Sequence, residues 1–288
     1  MIYSMTGYAR HEIKGDWGSA IWEIRSLNQR YLETFIRTPE LVRSLEPVVR
    51  ERIRQKLARG KVECNLRFVA NPAAVEELKI NEHVAEQVLK AVHKISAMAG
   101  ESNRVNPFQV LQWDGVIEAP EQDMDNINKA LLNGFNETLE IFVQTRANEG
   151  ENLKNFITKR LIAIRKEVET IREKMPEILQ WQRERLINKF KEAKIELDPT
   201  RLEQEIVILA QKSDVAEELD RLESHISETK KILTKGGAVG RRLDFMMQEF
   251  NREANTLGSK SISNEITSTS VELKVLIEQM REQIQNIE

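Results

Sequence analysis

Cysteine is almost missing from this chain, and so are long apolar runs. One cysteine, Cys64, among 288 residues leaves no internal disulfide and no paired Cys-x-x-Cys motif, and this fits a reducing cytoplasm. Its place at an apolar phase of a strand predicts a small buried hydrophobe rather than a reactive thiol. Aromatics make up only 6%. No apolar run reaches the ~18 residues that a membrane span needs, so no membrane partner is expected. Met1 to Glu12 lack a basic segment followed by an apolar one, so no secretory leader is expected. Walker loops, dinucleotide fingerprints and nucleophile elbows are missing too, which speaks against P-loop hydrolysis and serine-type acyl transfer.

What is present is a charged chain, 31% Asp, Glu, Lys and Arg, with a net charge of only -3. The charge is unevenly placed. From Arg25 to Arg67 eleven Lys and Arg stand against five Asp and Glu, while from Phe68 to Arg160 nine stand against fourteen. A local basic surface on an acidic protein suits a polyanionic partner, although an Arg-rich helix is also an ordinary solvated face.

The first 70 residues read as α+β. Val62, Cys64, Leu66 and Phe68 alternate with Glu63, Asn65 and Arg67, as a half-buried strand does. Trp22 and Ile24 alternate similarly, Tyr31 to Arg37 predicts a third strand, and Ser4 to Ala9 a fourth. Leu41, Leu45, Val48, Val49, Ile53 and Leu57 give a helical stripe, with the helix proper starting near Glu46 and Gly60 closing it. Asn71 to Lys79 reads as a connector before a helix over Asn81 to Ala99. Gly100 to Asn106 and Trp113 to Glu121 read as loops, with Asn106-Pro107 a good helix start. We expect an N-terminal α+β domain over residues 1–115, a small sheet with helices. A mainly α-helical domain with a long hairpin follows over 116–288. Leu153, Ile157, Leu161, Ile164, Val168, Ile171, Met175 and Ile178 recur at spacings of 3 and 4, so this helix packs along a narrow seam. Pro176 is expected to break or kink it, with Asp198-Pro199 as the next stop. Such an arm suits subunit contact or packing on its own domain.

Polar residues carry the chemistry. Asp214, Glu218, Arg221 and His225 fall on one helical stripe. After a turn at Gly236-Gly237, the stretch Gly240 to Lys260 adds Asp244, Glu249 and Glu253. Glu249 and Glu253 sit one turn apart, so two antiparallel helices can direct carboxylates at one divalent ion. The same spacings also fit solvated helix charges. Asp244, Gln248, Asn251 and Asn255 form a further row rich in residues that disfavour helix interiors, which suggests selection for something other than helix stability. Candidate phosphate contacts are Arg25, Arg30, Arg59 and Lys61, with Arg241, Arg242, Arg252 and Lys260 in the second domain. Tyr8 and Tyr31 can stack on bases, whereas Trp22 is expected in the core. His11, His83 and His93 read as surface or boundary residues.

The run GRRLDFMMQEFNREANTLGSK over Gly240 to Lys260 resembles the signature of the YicC family of bacterial proteins. Ser4 to Tyr8, Arg25 to Leu32, Arg59 to Glu63, Asp214 to His225 and the closing Gln285-Asn286-Ile287-Glu288 resemble the same family in the same order. The resemblance implies a cytoplasmic, metal-dependent endoribonuclease assembled as a ring-like homo-oligomer, expected to be a hexamer, with single-stranded RNA as substrate and the RNA-degradation machinery as a further partner. On that footing Asp214, Glu218, Asp244, Glu249 and Glu253 are the expected ligands of Mn²⁺ or Mg²⁺. His225 and Glu218 are the expected catalytic residues, with His225 as proton acceptor. The alternative is a non-catalytic RNA-binding adaptor that recruits another nuclease.

Overall fold

The computed structural model describes residues 1–71, 79–99, 106–117, 124–192, 203–208 and 214–288. Its N-terminal part is a four-stranded sheet. β1 (Gly7–Gly15) and β2 (Gly18–Leu27) form an antiparallel hairpin, β4 (Gly60–Ala70) runs antiparallel beside β2, and β3 (Leu32–Arg37) lies parallel to β4. The order is β1-β2-β4-β3. The alternation read from the sequence decides which face is covered: Ala20, Trp22 and Ile24 of β2 and Val62, Cys64 and Leu66 of β4 are all buried. α1 (Glu46–Lys56), with Pro47 in its first turn, packs near β3. Two boundaries differ from expectation. β1 starts later than Ser4, because Ser4 makes an isolated bridge to Ile287 instead, and His11 therefore lies within the strand. Gly60 opens β4 at φ +106° rather than closing α1.

α2 (Glu82–Ala99) and α3 (Pro107–Leu111) follow. The Asn106 side chain accepts from the Phe108 amide at 3.0 Å, the cap expected there. The connector and loop expected over 72–78, 100–105 and 118–121, and the stop at Asp198-Pro199, lie outside the described residues.

α4 (Met124–Glu192) is a 69-residue helix, roughly 100 Å long at 1.5 Å per residue. Its beginning completes the sheet core through Ile127, Leu131, Phe135, Leu139 and Phe142. Trp22 packs edge-on to Phe135 and donates its indole N–H to the Leu131 carbonyl at 2.9 Å, which satisfies the one polar atom of a fully buried ring. Farther along, the stripe from Leu153 to Ile178 enters a second core with α5 (Ala216–Lys235), α6 (Gly240–Ser259) and α7 (Asn264–Ile284). The seam expected for an arm is therefore filled by this chain's own helices, and it gives no support for subunit contact. Pro176 does not end the helix, which continues past it to Glu192. No helix among the described residues is long and apolar enough to cross a membrane.

A polar clasp joins the two cores. Arg146, at mid-α4, is 1% exposed; it donates to the Ser4 carbonyl at 2.5 Å and to Glu288 Oε2 at 2.7 Å. The other oxygen of Glu288 accepts from the Ala58 amide at 3.1 Å, and its backbone carbonyl accepts from Val239 at 3.1 Å. One carboxylate residue thus ties the bend before β4 to the turn before α6.

Candidate functional site

α5 and α6 form the expected antiparallel pair. The turn between them uses Gly236 and Gly237 at φ +66° and +85°, values that only glycine adopts readily. Antiparallel registry brings His225 on α5 opposite Glu249 and Glu253 on α6, with one ligand atom from each within 4.8 Å of the others. Glu253 is 2% exposed, while His225 and Glu249 are half-buried. The Nε2 atom of His225 is buried without a hydrogen-bond partner, and the ring stands edge-on to Phe250 at 5.7 Å. A buried imidazole nitrogen with no partner is costly unless something occupies its lone pair. Atoms on opposite sides of a small divalent ion lie roughly 4.2 Å apart, twice a ~2.1 Å ligand distance. The three donors therefore fit a single ion after a small contraction, and the mix of imidazole and carboxylate suits Mn²⁺ better than Mg²⁺. Arg221 reaches Glu253 at 3.5 Å and also bonds Glu217. The Glu217 hydrogen bond, with Glu253 adding to it, holds the guanidinium above its ordinary pKa.

The remaining expected ligands do not join this group. Asp214 shares the stripe of His225 but lies eleven residues away, about 16 Å in helical rise, and its carboxylate accepts from the Ala216 amide at the start of α5. Glu218 is two turns from His225 and buried; one of its oxygens is held by Lys260 at 2.8 Å, and the other has no partner. Asp244 precedes Glu249 by five residues, a rotation of about 140°, so it faces a different side of α6. His225, expected as the proton acceptor, lies within the donor group.

The basic residues divide in the same plain way. Arg25 and Lys61 both pair with Glu63, at 3.4 and 3.1 Å, and the Lys61 hydrogen bond holds the Glu63 carboxyl below its ordinary range. Arg242 pairs with Glu228. Lys260 bridges Glu218 and the Asp214 carbonyl, acting as a clamp between helix ends. Arg59, Arg241 and Arg252 have no ion pair or side-chain hydrogen bond among the described residues, and Arg30 has only its stacking on Tyr31 at 5.3 Å. Arg30, Arg59 and Arg241 line one cleft of about 640 Å³ together with Asp244, Phe245 and Arg281. The sequence reading missed Phe245 and Arg281. Phe245 was discoverable, since it falls off the apolar stripe of its helix. Tyr8 and Tyr31 are exposed, Trp22 is buried, and burial raises the Cys64 thiol pKa.

Comparison with known proteins adds an independent line. Residues 2–155 match the family described as "Endoribonuclease YicC-like, N-terminal region", and residues 171–288 match "Endoribonuclease YicC-like, C-terminal". A protein of Haemophilus influenzae named "Probable endoribonuclease YicC" is 57% identical over 288 residues, covering 100% of both chains. One of the same name from Clostridioides difficile is 32% identical over 293 residues, again covering 100% of both.

Proposed function

Since the chain belongs to the YicC-like endoribonuclease family, we propose that it cleaves single-stranded RNA by hydrolysis at His225, Glu249 and Glu253, with one divalent metal ion as cofactor. Two observations support this reading: a ring nitrogen of His225 lies within 4.8 Å of carboxylate oxygens of Glu249 and Glu253, and the Nε2 of the same ring is buried without a hydrogen-bond partner. When bound there, a divalent ion lowers the pKa of a water and offsets charge on the phosphoryl oxygens. The chain's own residues do the rest. Glu249 and Glu253 present negative charge that excludes a phosphate until a cation intervenes. Arg221, anchored on Glu217 and Glu253, sets a fixed positive charge at the edge of the group, where a phosphodiester arriving from solvent is neutralised. Arg30, Arg59, Arg241 and Arg252 hold flanking phosphates without reading sequence. Glu218 acts at a distance, as the partner that keeps Lys260 locking the helix ends. The homo-hexamer is proposed on the resemblance; light scattering that shows a monomer at micromolar concentration removes it.

The deciding experiment incubates the purified protein with end-labelled single-stranded RNA and Mn²⁺, with and without chelator, beside E249Q and E253Q. Cleavage that needs the ion and fails in both variants, with RNA binding retained, supports the assignment. Products ending in 5′-phosphate and 3′-hydroxyl indicate attack by water; 2′,3′-cyclic phosphates indicate attack by the ribose hydroxyl and shift the chemistry away from the metal group. Binding without any cleavage favours the adaptor reading.

A further inference from the structure

Phe245 has no task in the nuclease reading above. It keeps 56% of its surface exposed, on a helix whose other large apolar residues, Leu243, Met246, Met247, Phe250 and Leu257, are buried. A solitary exposed aromatic on a protein surface is ordinary. This one, however, lines a cleft with four arginines, Arg30, Arg59, Arg241 and Arg281, contributed by the β2–β3 bend, the approach to β4, α6 and α7. Packing like charges into one cleft is unfavourable for the protein alone, and only Arg281 has a carboxylate partner, Glu278 at 3.5 Å, among the described residues. By contrast Arg25, Arg165, Arg172 and Arg242 elsewhere are each ion-paired. Asp244 and Gln248 stand on the same face of α6 one turn apart, the Gln248 amide donating to the Asp244 carboxylate at 3.1 Å. The pair offers both an acceptor and a donor beside the ring.

We infer that this cleft is a nucleotide subsite, in which one unpaired RNA base stacks on Phe245 while the arginines hold its flanking phosphates. An apolar π-face bordered by guanidinium groups matches the two chemistries of a nucleotide, a flat base and an anionic linkage. The base must be unpaired, because in a duplex its faces are covered by neighbours. Phe245 precedes Glu249 by four residues, a rise of about 6 Å along α6, so a base seated here positions the adjoining chain next to His225, Glu249 and Glu253. The cleft is assembled from both ends of the chain, and Glu288 bonds Ala58 and Val239, the neighbours in sequence of the lining residues Arg59 and Gly240. The inference rests on the proposed function for the identity of the polymer as RNA.

The test uses the full-length protein in chelator, so that binding is read without cleavage, with a 5′-labelled 12-nucleotide single-stranded RNA followed by fluorescence anisotropy. F245A is expected to bind about tenfold more weakly, F245Y to bind like wild type, and the salt dependence of affinity to stay unchanged in both, because no phosphate contact is lost. An oligonucleotide of the same length made of abasic units is expected to bind wild type and F245A equally. Substituting R241Q is expected to lower the salt slope instead. Equal binding of normal RNA by wild type and F245A overturns the subsite, as does a loss in F245A that is the same for abasic RNA. AMP binding as tightly as the oligonucleotide also overturns it, since the cleft is then a mononucleotide site. Failure of the nuclease reading is seen separately: wild-type protein with Mn²⁺ leaves the RNA uncut, whatever F245A does to binding.

Discussion

Replacing Arg146 by methionine tests whether the clasp holds the two cores together. The guanidinium is 2% exposed at its side chain, and its partner Glu288 is 14% exposed, with 2.7 Å between them. Burial lowers the pKa of Arg146, and the Glu288 charge offsets part of that. Desolvation being the larger effect, the pair adds little net stability over an apolar replacement of both. Removing one member is a different matter. It strands the Glu288 carboxylate in a nearly dry site, and removing one partner of a buried pair costs about 3–5 kcal/mol. Because Glu288 retains some access to water, the lower end applies, about 3 kcal/mol for R146M, including the lost bond to the Ser4 carbonyl. E288Q still accepts from Arg146 but leaves the cation without a counter-charge, for about 2 kcal/mol. The double variant R146M/E288Q strands no charge, so its loss should fall short of the sum by about 1.5 kcal/mol or more. Thermal unfolding followed by circular dichroism reads these as a fall of roughly 6 °C for R146M, at about 2 °C per kcal/mol for a chain of this size. A shift under about 1 °C for R146M, or additive effects in the double variant, refutes the reasoning.

Gly150 sits inside α4, where alanine ordinarily adds about 1 kcal/mol of helix stability. A Cβ there would lie 2.1 Å from the Ile2 carbonyl oxygen, so G150A is expected to lower stability by about 2 kcal/mol, and a raised melting temperature contradicts this. Cys64 is 0% exposed with its thiol pKa pushed up by burial; it should react with Ellman's reagent at pH 8 only as fast as the protein unfolds, and rapid labelling of native protein contradicts that. K260M leaves the Glu218 carboxylate, 4% exposed, without a cation and should cost about 2–3 kcal/mol, partly recovered in K260M/E218Q. If K260M instead weakens RNA binding at unchanged stability, Lys260 is a phosphate contact rather than a clamp.

Local pattern carried most of the architecture. Strand alternation around Trp22 and Cys64 identified the covered face, and the residues at spacings of 3 and 4 from Leu153 to Ile178 are all in or against a core. What the pattern lacked was the partner. A stripe of that kind states that something packs on it, and a helix of the same chain meets the requirement as well as a second subunit does. Pro176, expected to break or kink the helix, does not end it. Proline removes one backbone donor and strains one turn, a cost of ~3 kcal/mol, and the apolar contacts on either side, Ile171 and Ile178 among them, outweigh it. The clasp was invisible because Ser4, Ala58, Arg146 and Glu288 are far apart in sequence, and nothing in local propensity links them.

At the candidate site the sequence supplied residue types, and the fold sorts them by angle and height. Asp214, Glu218, Asp244, Glu249 and Glu253 were grouped because they share two conspicuous blocks. A helix sorts such residues by rotation and by rise together. Glu249 and Glu253 differ by 40° and one turn, so they converge; Asp244 is rotated about 140° from Glu249, and Asp214 is about 16 Å below His225 along the axis. The same wheel that turns Asp244 away from Glu249 puts it beside Phe245, Gln248 and Arg241. The row of helix-disfavoured residues on α6 thus divides from the carboxylates behind it: one face meets α5 at His225, the next borders the basic cleft. Two neighbouring faces with different chemistry on one rigid helix keep a fixed spacing between the donor group and the basic cleft, and no loop movement is needed to align them.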